Sequence, residues 1–330
     1  MLPLVGASAL VHSTPFNADQ AVLRYAAASE TRCKQYILLT SQRSGSTWTC
    51  QVLDAQLGVT CGRAPRGEEH PVATEKLSEL MINFSPALLA LRGLTHREVS
   101  WESWVASLEE AFSSLREEGC AGSDRTTAGF KLMYNQVPHH LVPQFLGFLE
   151  THEVTVLHLV REASVLRLAS NEQSSGLMHS SDANDVASHE TAPWQWDNNT
   201  AENIRALERL DDAWANVLRL NPKIRYHYVA YEQLISPQRD VYFTELAHIT
   251  GAPRPSFADV PGELIPLHEP TCEERVAQYS ELEHQILGTR THRACLMLAA
   301  RPLRVLPDEF GQASPFWGVG PGCGGRPCKW

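Results

Sequence analysis

The sequence predicts an α/β fold in which a parallel sheet is flanked by helices on both faces. Three observations carry that prediction. Short apolar runs of strand length recur along the chain: QYILLT at Gln35–Thr40, GFKLMYN at Gly129–Asn135, EVTVLHLV at Glu153–Val160 and IRYHYVAY at Ile224–Tyr231. Stretches with helical apolar spacing stand between them. Strands buried on both faces read as continuous apolar runs, and strand–helix alternation of this kind builds parallel sheets.

The elements follow in order. Gln35–Thr40 is the first strand, Ser41–Thr47 (SQRSGST) breaks it, and Trp48–Leu57 resumes with helical spacing. Gly58 to Pro71, rich in Gly, Arg and Glu, reads as a polar connection. Glu102–Glu118 is a helix with Trp104, Leu108, Phe112 and Leu115 on one stripe, and Pro138–Leu149 is another. Arg161 stands immediately after the strand that ends at Val160. Gly176–Asn198 lacks periodicity and reads as a long loop. Its Trp194 and Trp196 either stack on a sugar or aromatic ligand or anchor the loop to the core.

Asn199–Leu220 is the clearest helix. Asn199 and Glu202 are spaced as a capping box, and Ile204, Leu207, Leu210, Trp214 and Val217 form its stripe. Further helices are expected near Arg239–Thr250 and Cys272–Leu287. The expected organisation is a leader over 1–34 with one short helix around Ala18–Ala28, a domain over 35–298, and an irregular Gly/Pro-rich tail over 299–330.

Composition narrows the function classes. With 330 residues, 43% of them hydrophobic, the chain can bury one sizeable core. A net charge of −10 argues against a nucleic-acid partner, which needs a concentrated basic surface. Any anion site must therefore be local. The opening MLPLVGASALVH lacks a basic flank, and no run reaches the length of a membrane span. The reading is a soluble, cytoplasmic chain, with a trimmed targeting segment left open. Eight cysteines are irregularly spaced with no Cys-x-x-Cys pair, and a chain this long does not require disulfides. Cys323 and Cys328 in the tail read as two unrelated thiols.

The first chemical signal is the loop Arg43-Ser44-Gly45-Ser46-Thr47 between strand and helix. A helix start offers free backbone N–H groups and a favourable dipole to an anion, and Gly45 permits close backbone approach. The hydroxyls of Ser44, Ser46 and Thr47 add donors. A nucleoside-triphosphate loop of the Gly-x4-Gly-Lys-Ser/Thr type would need Gly where Thr40 stands and Lys where Ser46 stands.

Ser41–Trp48 resembles the 5′-phosphosulfate loop of sulfotransferases that use 3′-phosphoadenosine 5′-phosphosulfate (PAPS). It is closest to the Arg-Ser-Gly-Ser-Thr branch, which is similar to trehalose-type and carbohydrate sulfotransferases. The resemblance implies a P-loop-like α/β fold, PAPS as co-substrate, no metal, and cofactor contacts from Arg43, Ser44, Gly45, Ser46, Thr47 and Trp48. The family's second signature is an Arg at a strand end followed by a Ser on the next helix, together binding the 3′-phosphate. Arg161 and Ser170 match it, with Ser164 the competing hydroxyl. Gly129–Tyr134, Tyr228–Leu234 with Tyr231-Glu232, and Leu287-Gly288-Thr289 extend the resemblance over about 35–298.

Sulfuryl transfer needs a base for the acceptor proton, donors for the transferring oxygens, and positive charge at the leaving phosphate. Arg43 suits the last task, being permanently charged. The resemblance implies a Glu some 25 residues after the loop Arg as base, and Glu68 in Gly67-Glu68-Glu69 fits, although Arg66 departs from the usual pattern. Adjacent carboxylates also raise one another's pKa, so Glu69 shares the candidacy. His70 and His96 are the alternatives. Lys131, inside an apolar run, either snorkels to solvent or faces the crevice; the resemblance implies the crevice. The acceptor is expected to be a small molecule or carbohydrate, its identity left open along with the oligomeric state. Two rival readings are a nucleotide kinase or NTPase on the same scaffold and a non-catalytic binder of adenosine 3′,5′-bisphosphate.

Overall fold

A computed structural model describes residues 33–56, 58–61, 84–120, 127–174, 193–236, 238–251 and 271–299. Most of the expected leader and tail, including the helix around Ala18–Ala28, lies outside the described residues, as do Cys323 and Cys328.

Among the described residues five strands form one sheet: β1 (Lys34–Thr40), β2 (Val59–Cys61), β3 (Thr127–Met133), β4 (Thr155–Val160) and β5 (Tyr226–Ala230). Their order is β2-β3-β1-β4-β5, and every pairing is parallel. This is the predicted α/β sheet. Central β1 is paired on both sides, and its Tyr36, Ile37, Leu38 and Leu39 are fully buried. Such side chains each contribute about 1.5–3 kcal/mol on burial.

The helices are α1 (Ser46–Asp54), α2 (Pro86–Leu91), α3 (Trp101–Leu115), α4 (Val142–Thr151), α5 (Ser164–Ser174), α6 (Thr200–Arg219), α7 (Tyr231–Leu234), α8 (Arg239–Thr250), α9 (Cys272–Arg275), α10 (Tyr279–Ile286) and α11 (Arg290–Ala299). Two apolar layers cover the sheet. Tyr36 and Leu38 of β1 face a layer with Val52 and Leu53 of α1, Leu166 of α5 and Phe243 of α8. Ile37 and Leu39 face the other, with Trp104, Leu108 and Phe112 of α3 and Phe145 of α4. Tyr36 also crosses two strands: its ring lies over Gly129, where a Cβ would come within 2.5 Å, and its hydroxyl donates to the Thr60 carbonyl at 3.0 Å.

Several sequence expectations are corrected. The polar connection after Gly58 contains β2, an edge strand too short to show a pattern. The helix expected over Cys272–Leu287 is interrupted around Val276, which bridges to Trp194 (Trp194 N to Arg275 O, 2.8 Å; Ala277 N to Trp194 O, 2.9 Å). Trp194 is buried in the core, so of its two expected uses it takes the anchoring one. The α6 stripe also differs. Leu210 is 36% exposed, while Asp211 is fully buried with Ile204, Trp214 and Leu218. Asn199 makes no side-chain cap; the Asp197 carboxylate instead accepts from Asn199 N and the Thr200 hydroxyl, both at 2.9 Å.

Disulfides join Cys33 to Cys120, Cys50 to Cys61, and Cys272 to Cys295, and no cysteine among the described residues is unpaired. Irregular spacing hid this because the fold, not the sequence, makes these residues neighbours. Chain length removes the need for cross-links without preventing them. Among the described residues no helix is long and apolar enough to cross a membrane.

Cross-links that close longer loops restrict the unfolded chain more. With separations of 87, 23 and 11 residues, the pairs should contribute roughly 5, 3 and 3 kcal/mol. Denaturant melts of the three double Cys→Ala variants should show the Cys33/Cys120 variant losing the most. Peptide mapping without reductant should recover the same pairs; free thiols at these positions would contradict the covalent framework.

Candidate functional site

The carboxyl end of β1 is tied to its neighbour before the loop begins. Thr40 Oγ1 donates to the Leu159 carbonyl of β4 at 2.8 Å. Thr40 also meets Ser44, whose hydroxyl donates to the Ser41 carbonyl at 2.9 Å. A glycine at residue 40 could make neither contact. Ser44 is fully buried, with its hydroxyl engaged within the loop.

The loop then turns through left-handed backbone at Arg43 (φ 60°) and Gly45 (φ 82°). Turns of this kind aim successive N–H groups into one concavity. Gly45 is demanded twice: by its φ, and because a Cβ there would lie 2.1 Å from Cε2 of Tyr231. The N-cap Gly45 offers α1 no side-chain cap, and the first N–H groups of any helix have no acceptor within the helix itself. Arg43 and Thr47 are exposed, Ser46 is buried, and Trp48 is half-buried with its ring edge-on to Tyr231 at 5.8 Å.

Lys131 reaches the same loop from β3, where it registers with Leu38 of β1. Its ammonium donates to Thr47 Oγ1 at 3.0 Å. Burial, then the nearby Arg43 charge, hold the Lys131 pKa below the ordinary lysine value. Of its two expected orientations, Lys131 takes the one toward the loop. Two cations thus sit together beside an uncapped helix start.

Arg161 is the first residue after β4, in the strand-to-helix turn that its expected role requires. It is 9% exposed, and its guanidinium lies 5.3 Å from the Tyr231 ring centroid. The turn itself is held from several sides. The buried Glu232 carboxylate accepts from Glu162 N at 3.0 Å and Ala163 N at 2.9 Å. The Thr291 hydroxyl accepts from Ser164 N at 3.2 Å and donates to the Glu162 carbonyl at 3.1 Å. The Tyr228 hydroxyl donates to the Glu162 carboxylate at 2.9 Å. Burial raises the pKa of both Glu162 and Glu232. Ser170 is half-buried in the second turn of α5, while Ser164 at its start is fully buried.

Behind this turn lies a buried ionic brace that the sequence reading missed. Asp211 of α6 accepts from Arg167 of α5 at 2.7 Å and from Arg290 of α11 at 3.0 Å. Beside it His158 contacts Tyr134 and Tyr226, and burial lowers its pKa to about 3, so its imidazole stays neutral. The signal that could have found Asp211 is its place on the helical stripe of α6. Removing one partner of such a buried pair costs about 3–5 kcal/mol.

The base candidates Glu68 and Glu69, with His70, lie outside the described residues. His96 is engaged: its Nε2 donates to the Phe84 carbonyl at 2.7 Å. Among the described residues no group of three or more His, Cys, Asp or Glu is arranged to hold a metal ion.

The Lys131 environment makes a sign-definite prediction. Its depressed pKa means that the unfolded chain holds this proton more tightly than the folded one. Protein stability should therefore rise with pH through the depressed lysine value toward the ordinary one. Lys131→Met should melt no lower than the parent near neutral pH without added anions, yet gain less from inorganic sulfate. A variant that melts much lower and keeps the full sulfate response would show that the ammonium is structural.

No family model matches this chain, and no curated protein does. Among solved structures, a sulfotransferase domain from the curacin biosynthetic pathway aligns over 82% of this chain and 93% of its own, at 16% identity and TM-score 0.36. A sulfotransferase domain from the Synechococcus PCC 7002 olefin synthase aligns over 83% and 90%, at 15% identity and TM-score 0.35. Likeness at that level establishes neither family nor activity.

Proposed function

We propose that this chain is a PAPS-dependent sulfotransferase acting on a hydroxyl or amine of a small-molecule or carbohydrate acceptor. One observation carries the reading. The Arg43–Thr47 loop and Arg161 stand at the carboxyl ends of β1 and β4, adjacent strands whose onward connections lead toward opposite edges of the sheet. Crevices of that kind are where open α/β sheets bind ligands. Two cationic subsites on one crevice suit a ligand that is anionic at both ends.

The residues fit such a ligand. The left-handed loop turns its backbone N–H groups toward one point, and the like charges of Arg43 and Lys131 favour an anion beside them. PAPS supplies the sulfuryl group and departs as adenosine 3′,5′-bisphosphate. The acceptor oxygen or nitrogen forms a bond to sulfur as the bond from sulfur to the 5′-phosphate oxygen breaks. Arg43 and the loop N–H groups offset the charge that grows on the leaving phosphate. Lys131 faces the transferring group, Glu68 with Glu69 beside it takes the acceptor proton, and Arg161 with Ser170 holds the 3′-phosphate. The three disulfides support maturation in an oxidising compartment in place of the cytoplasm.

Adenosine 3′,5′-bisphosphate should raise the melting temperature more than ATP with Mg²⁺, because ATP can occupy only one of the two subsites. At a hundred times its Kd a ligand adds about 2.7 kcal/mol. Arg161→Ala should weaken this binding with less effect on saturated turnover, since the 3′-phosphate keeps its charge throughout. Equal or larger stabilisation by ATP with Mg²⁺ would favour a kinase instead.

Glu68→Gln should bind the bisphosphate normally and lose roughly 10²–10⁴-fold in turnover. The measurement is an acceptor screen with labelled PAPS, with Glu69→Gln as internal control. Full activity in Glu68→Gln with loss in Glu69→Gln or His70→Asn would move the base. Bisphosphate binding without turnover on any acceptor would leave the non-catalytic reading.

A further inference from the structure

Tyr231 and Glu232 are consecutive residues at the start of α7, directly after β5. Neither belongs to the anion-binding elements, yet each touches them. The Tyr231 ring closes over Gly45, so tightly that no side chain fits between them, and carries Arg161 at 5.3 Å from its centroid. Trp48 meets the same ring edge-on. One aromatic plane therefore touches both the first anion loop and the cation of the second site. Glu232, buried beside it, accepts the N–H groups of Glu162 and Ala163, the two residues that follow Arg161.

We infer that Tyr231 and Glu232 are positioning residues that couple the two anion sites, so that a ligand spanning them is bound as a unit. The inference rests on the proposed function for the identity of that ligand, though not for the coupling itself. The ring fixes where Arg161 lies relative to Gly45, because displacing it from either side must displace it from the other. The carboxylate fixes the turn that presents Arg161. Together they turn two weak local sites into one site with a set spacing. A ligand that reaches both ends then gains from a geometry already in place.

The test uses the full chain with Tyr231→Leu, Tyr231→Phe and Glu232→Gln. Two readouts are taken: amide hydrogen exchange without ligand, and calorimetric affinities for adenosine 3′,5′-bisphosphate and for AMP, which lacks the 3′-phosphate. Tyr231→Leu should speed exchange both at residues 43–49 and at 161–166. It should also shrink the preference for the bisphosphate over AMP by roughly 2- to 30-fold, the usual range for residues that couple sites. Tyr231→Phe keeps the ring and should restore both readouts. Glu232→Gln, which offers an amide where two N–H groups need acceptors, should speed exchange at 161–166, leave 43–49 unchanged, and shrink the same preference. It also carries the test if Tyr231→Leu does not fold.

Faster exchange confined to 231–234, or spread evenly over the chain, would overturn the coupling. So would equal losses for bisphosphate and AMP. If the parent binds neither nucleotide, the sulfotransferase reading falls, and the exchange pattern alone decides the coupling. A pattern linking 43–49 with 161–166 would then sustain it.

Discussion

The candidate site depends on the close approach of Gly45 to the Tyr231 ring. Everything else in the crevice is arranged around that contact. The turn must pass through left-handed backbone to bring Gly45 there, and Arg43 takes a left-handed conformation two residues earlier. Residues other than Gly adopt that region reluctantly, so the surrounding bonds must hold it. Thr40 and Ser44 supply them, linking the loop to its own base and to the end of β4. The result is a rigid concavity placed at the point where the chain's connections diverge.

Charge is managed by the same economy of position. The chain carries a net charge of −10, yet its crevice gathers Arg43, Lys131 and Arg161. Arg43 disfavours the charged form of Lys131, and Arg161 is drawn to an aromatic face and to the neighbourhood of Glu232. Arg167 and Arg290, by contrast, are neutralised inside by Asp211. Arginines that build and arginines that face the crevice are thus separated by their partners. A preorganised field of this kind avoids reorganisation when a charged ligand arrives.

Much of this was legible in the sequence. Four of the five strands announced themselves as apolar runs, three of them because both faces are largely buried, and the strand ends put Arg43 and Arg161 at one end of the sheet. What stayed hidden has physical reasons. Strand β2 has three residues and only one neighbour, so no apolar run marks it. Asp211 follows Leu210, which reads as the inward residue of that turn, so the carboxylate reads as solvent-facing until its two arginine partners are seen. Tyr231 and Glu232 read as the end of a strand; that they meet residues far away in the chain is a property of sheet order. That the Ser44 hydroxyl turns back to the Ser41 carbonyl is a property of the loop's left-handed path, which sequence does not display. Glu68 and Glu69 lie outside the described residues, and their role stays a proposal.

The disulfides gain meaning from what lies next to them. Cys50 sits in the first turns of α1, so its bond to Cys61 ties the helix to β2 just beyond the point where Gly45 meets Tyr231. A helix held at its start by packing and farther along by a covalent link cannot pivot about either. Cys295 sits one turn beyond Thr291 on α11, and its bond to Cys272 tethers the helix whose hydroxyl grips the Arg161 turn. Each of these cross-links therefore stands one element behind a proposed anion subsite. Hydrogen bonds and ring contacts set the local geometry, but they yield to small motions of the elements that carry them. Covalent links at that remove limit those motions, and the spacing between the two subsites is held by the body of the fold as well as by the residues that touch a ligand.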